Sequence, residues 1–122
     1  MVEFGGFMSQ SPHDVPTAAQ LIESVREWLQ NDVLAATSGR IQFHSRVAIN
    51  VLAMVERELA MGAVQADDHA RRLATLGFAS DRELAAAIRE GSIDDRIEDV
   101  VAAVWSSVLA KVEVANPSYL VD

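Results

Sequence analysis

From Thr17 to Val114 the apolar residues of this chain recur three and four positions apart, and nowhere do they alternate with a period of two. That pattern lines one face of an α-helix and leaves no half-buried strand. The expected fold class is therefore all-α, an antiparallel bundle of four to five helices with short connections. Residues 1–16 form a leader with Gly5, Gly6, Pro12 and Pro16 and no helical period, and residues 17–122 form a single bundle domain.

Helix boundaries are marked by local signals. Pro16 stops anything before it, and Thr17 with Gln20 makes a Thr-x-x-Gln capping box. Leu21, Ile22, Val25, Trp28, Leu29 and Val33 then share a face, and Ser38-Gly39 ends the first helix. A second helix is expected over 41–61 with Gly62 as a left-handed terminator, and a third over 65–76 closed by Gly77. Ser80 with Glu83 announces a fourth, which Gly91 ends. The fifth spans 94–114, with acidic residues in its first turns and Asn116-Pro117 beyond its end. Its expected core stripe is Ile97, Val100, Val101, Val104, Val108 and Val112, with Trp105 and Leu109 beside it.

Composition removes several kinds of chemistry. The chain of 122 residues has no cysteine, so disulfides, cysteine-bound metals and thiol nucleophiles are excluded. Its net charge is −8, from 18 acidic and 10 basic residues, which repels phosphate backbones and argues against nucleic acid. No apolar run approaches the ~20 residues of a membrane span, and the start lacks the basic region of a signal peptide. A cytoplasmic protein with no membrane partner is the expectation.

The titratable residues do not assemble a site by spacing. His13, His44 and His69 are not paired at three or four residues, so no metal site and no cofactor is expected. Asp67-Asp68-His69 reads as a solvated helix start, because neighbours on a helix point in different directions. His44 falls on the apolar face of the second helix. It is either a core histidine bonded to a backbone carbonyl or a pocket residue able to exchange a proton. Arg46, Asn50 and Arg57 share a line on the other side of that helix. They form a solvated face, an internal network with a mate such as Glu23, Glu27 or Glu98, or a docking site for an anion or a protein partner. Trp28 and Trp105 read as packing anchors.

Three blocks carry a family resemblance. The first is Pro16-Thr17-Ala18-Ala19 followed by Leu21-Ile22-Glu23-Ser24-Val25-Arg26-Glu27. The second is Arg40-Ile41-Gln42-Phe43-His44-Ser45-Arg46-Val47-Ala48-Ile49-Asn50, and the third is Val114-Ala115-Asn116-Pro117-Ser118-Tyr119-Leu120. Together they resemble a bacterial family of small helical proteins of unknown function, often encoded beside kinases similar to aminoglycoside phosphotransferases and beside acyl-CoA dehydrogenases. The resemblance implies an accessory role and carries over no catalytic residue. The leading expectation is a non-catalytic module binding a kinase-like or dehydrogenase-like protein partner. The alternative is a bundle holding a small acyl-type ligand near His44, and an enzyme using His44 ranks third. Wide apolar faces on the first, second and fifth helices also predict a homodimer.

Overall fold

The computed structural model describes residue 12 and residues 14–121, and among these every regular element is helical. The order is α1 (Ala18–Trp28), a π-helical segment (Leu29–Val33), α2 (Leu34–Ala36), α3 (Gly39–Leu76), α4 (Asp81–Glu90), a 3₁₀ turn (Asp94–Arg96), α5 (Ile97–Ala115) and a last 3₁₀ turn (Pro117–Leu120). Most of the expected leader, with His13, lies outside the described residues. The chain divides into two compact units, residues 1–59 and 60–122, with the boundary inside α3.

The predicted stops and starts hold to within a turn with one exception, although the fifth helix opens at Asp94 as a 3₁₀ turn and becomes α-helical only at Ile97. Thr17 Oγ1 accepts from the Gln20 amide at 3.1 Å, and Gln20 Oε1 accepts from the Thr17 amide at 2.8 Å, closing the capping box. Gly39 opens α3 from the left-handed region (φ 62°), and Gln42 Nε2 donates to the Leu34 and Thr37 carbonyls left open by the preceding helix end. At Gly77 (φ 94°) the amides of Gly77 and Phe78 bond back to Ala74 and Leu73, a Schellman closure. Ser80 Oγ caps the Glu83 amide at the start of α4, while the Glu83 carboxylate accepts from Ala79 instead of from Ser80.

The exception is Gly62, which does not end a helix. The two helices expected over 41–61 and 65–76 are one, α3, 38 residues long. A glycine stops a helix by turning left-handed, and Gly62 keeps helical geometry. Around it stand Ala60, Ala63 and Ala66, strong helix formers, and no capping residue precedes 65. A lone glycine in such a run costs about 1 kcal/mol and breaks nothing.

Packing differs sharply between the units. In residues 60–122, Leu73 and Leu76 of α3, Leu84 and Ala87 of α4, Ile93, and Val100 of α5 form a buried cluster, with Phe78 and Ala103 against it. In the first unit only Ser45 and Ile49 are buried among the described residues. The expected core stripe of α5 is corrected accordingly. Val100 is buried, but Ile97, Val101, Val104, Trp105 and Val108 are exposed. The inward positions of α5 are Val100, Ala103, Ser107, Ala110 and Val114, a mostly small-residue line at three- and four-residue spacing.

Candidate functional site

The residues singled out from sequence sit in the first unit. The inward face of α3 there carries Ser45 and Ile49, each buried, and Ser45 Oγ donates to the Ile41 carbonyl at 2.8 Å. His44, one position away, is exposed, so it is not the core histidine of the buried face; its ring meets Phe43 edge-on at 5.4 Å. Arg46 and Asn50 are also exposed, and Arg57 is half-buried. Among the described residues Arg46 reaches its helical neighbour Gln42, at 3.5 Å, and none of the expected mates Glu23, Glu27 or Glu98.

The guanidinium–carboxylate pair of this unit is a different one. Arg26 of α1 grips Glu56 of α3 with two bonds, Nε to Oε1 and Nη2 to Oε2, while its Nη1 donates to Gln30 at 2.9 Å. The side chains are 20% and 22% exposed. The hydrogen bonds to Arg26 hold the Glu56 carboxyl below the usual carboxylate range, and the same bonds raise the Arg26 guanidinium. Beyond Trp28 the chain passes into π-helical geometry over Leu29–Val33 before α2 ends at Thr37.

A second polar constellation lies in residues 60–122, and the sequence reading missed it. His69 of α3 bridges two other helices: Nδ1 is 2.8 Å from Ser107 Oγ on α5, and Nε2 is 2.8 Å from Asp81 Oδ1 at the first residue of α4. Arg72 Nη2 donates to the same Ser107 oxygen at 3.2 Å, and Arg72 Nε is buried without a partner among the described residues. Asp67-Asp68-His69 is thus not a helix start but part of the interior of α3, with Asp68 bonded to Arg71 at 2.9 Å. One turn earlier Gln65 Nε2 donates to the Ala110 carbonyl and to Glu113, both at 3.0 Å.

The reason these polar groups meet is the small-residue line of α5. Ala103, Ser107 and Ala110 present little bulk, so Gln65, His69 and Arg72 of α3 extend across the gap. Hydroxyl, imidazole and carboxylate occur here in the order of an acyl-transfer triad. Two features argue for a structural clamp instead. Asp81 is 76% exposed, so water competes for the carboxylate that would have to hold the imidazole tautomer. Ser107 has one proton and two acceptors in reach, His69 and the Ala103 carbonyl at 3.2 Å, the latter being the ordinary partner of a serine inside a helix.

Among the described residues no three His, Asp or Glu side chains come together in a metal-holding group, and no helix is long and apolar enough to cross a membrane. A family model described as Domain of unknown function (DUF6285) matches residues 35–119. The match takes in the second block of the resemblance and all of the third but its last residue; the first block lies outside it. It covers more than half of the chain, which therefore belongs to this family. No curated protein and no solved structure matches.

Proposed function

Starting from its place in the DUF6285 family, we propose that the chain is a non-catalytic accessory module that binds a protein partner through the apolar stripes on its long helices. One observation carries this reading. Leu21, Val25 and Trp28 on α1 recur at helical spacing and are 49–56% exposed, as do Ile97, Val101, Val104 and Val108 on α5 at 41–60%. Contiguous apolar surface of that kind marks an interaction site. The partner class is a kinase-like or acyl-CoA dehydrogenase-like enzyme, and a second copy of the chain is a further occupant. In this reading the helices of the module form an antiparallel bundle of four to five helices. Partners of that metabolic class make the cytoplasm the compartment, and the net charge of −8 speaks against nucleic acid.

The test is co-expression with a kinase-like and a dehydrogenase-like protein encoded beside the gene. Retention of one of them on the tagged chain near one-to-one, lost on Val104→Glu with Val108→Glu, supports the module. Recovery of the tagged chain without either enzyme overturns the assignment of partner.

A further inference from the structure

We propose that the outer face of α3 in the first unit docks a second copy of this chain, the two α3 helices crossing antiparallel near Asn50. The inference rests on reading exposed apolar stripes as docking surfaces and deepens it by naming one occupant. Phe43, Val47, Asn50 and Met54 follow one another at four, three and four residues, the spacing of a helix–helix seam. They lie on the side of α3 opposite buried Ser45 and Ile49, and all four are exposed.

Exposed apolar area marks the centre of the crossing. On the outer face of α3, Phe43, Val47, Val51 and Met54 are 38–61% exposed. At roughly 200 Å² for a large side chain in the open, these offer on the order of 400 Å² per copy, the apolar centre of an interface that takes about 800 Å² per partner with its polar rim. With only Ser45 and Ile49 buried among its described residues, this unit has little core of its own.

Charge fixes the orientation. Arg40 and Glu58 are exposed, and they are eighteen residues apart, five full turns, so they stand on the same flank of the seam. Their midpoint is residue 49, beside Asn50. In an antiparallel crossing there, each Arg40 falls opposite the Glu58 of the second copy, on the same side of the seam; a parallel pairing would place the two flanks on opposite sides and make neither pair. Asn50 is the single polar residue of the seam, and a buried asparagine specifies register at a cost in stability. A two-fold axis near it pairs the two amides with each other. Asn50 thereby acquires the hydrogen-bonded place its neighbours call for, supplied by another molecule.

The experiment uses the full chain, whose lack of cysteine lets one introduced thiol report alone. Sedimentation should give a dimer in the micromolar range. Val47→Glu with Val51→Glu should weaken it at least roughly tenfold, with helical circular dichroism unchanged. Mild oxidation should convert Asn50→Cys to a covalent dimer much faster than Glu90→Cys. Arg40→Glu should weaken the dimer, and adding Glu58→Arg should restore it. A monomer throughout the micromolar range overturns the proposal, as does equal cross-linking of the two cysteine variants. Should the monomer still retain a kinase-like or dehydrogenase-like enzyme, the second-copy assignment fails while the accessory-module reading stands.

Discussion

Arg26 and Glu56, thirty residues apart in the chain, are joined through both oxygens of the carboxylate and two nitrogens of the guanidinium. This fork ties α1 to α3 where, among the described residues, hardly any apolar side chain is buried. Glu56 is held below its ordinary range, so its contribution is present above the unfolded value near pH ~4.3. It is lost as pH falls through the lower folded value. Arg26 is raised, so its contribution is present below the unfolded guanidinium value and vanishes only in strong alkali. Between pH 5 and 3 the melting temperature of the native chain should therefore fall more steeply than that of Glu56→Gln. Parallel curves would mean the fork does not stabilise the fold.

Gly62 within α3 and Gly77 just past its end should respond to alanine with opposite signs. Gly77 sits at φ 94° with open space where a Cβ would go, so Gly77→Ala incurs only the backbone cost of the left-handed region, about 1–2 kcal/mol of destabilisation. Gly62 is helical, so Gly62→Ala removes the glycine penalty and raises stability by up to about 1 kcal/mol. Urea unfolding of the two variants measures both. Destabilisation by Gly62→Ala of the same size as at Gly77 would contradict a continuous α3.

In the second unit Leu84→Ala should cost about 2–5 kcal/mol, since the side chain is 6% exposed and joins α4 to the cluster around Leu73 and Val100. Val101→Ala, one position from buried Val100 but 60% exposed, should change unfolding of the dilute chain by less than about 0.5 kcal/mol. Similar losses at the two sites would show that the stripe of α5 is buried within the chain.

The clamp at His69 should be lopsided. Asp81→Ala removes a largely exposed carboxylate and should cost about 0–1 kcal/mol. Ser107→Ala strips a partner from both His69 and Arg72 in a half-buried place and should cost more, about 1–3 kcal/mol. Denaturant midpoints of the two variants decide this, and a larger loss at Asp81 would reverse the assignment.

Helix ends were legible in the sequence because they are local. Thr17 and Gln20, Gly77, Ser80 and Gly91 each carry a backbone or capping requirement that neighbours alone reveal. The facing of helices was less so. Along α5 every third or fourth residue is valine, and periodicity cannot say whether Val100 or Val104 turns inward. What decides is the partner surface: long Gln65, His69 and Arg72 on α3 require the small Ala103, Ser107 and Ala110 opposite them. The meeting of His69 with Ser107 joins residues 38 apart on different helices, which no spacing rule within one helix reveals. The clue available was a polar run at 65, 69 and 72 inside an otherwise helical pattern, together with a serine between alanines.

The uneven burial of the two units also bears on how the chain responds to dilution. Residues 60–122 keep their cluster around Leu73 and Val100 at any concentration, because all its members belong to one molecule. If the first unit completes its apolar contacts by association, its stability follows mass action and falls as the protein is thinned. Amide exchange along the single helix α3 would then show two regimes. Protection around Leu73 would be indifferent to concentration, while protection around Val47 would rise with it, so that one uninterrupted helix reports both a unimolecular and a bimolecular equilibrium.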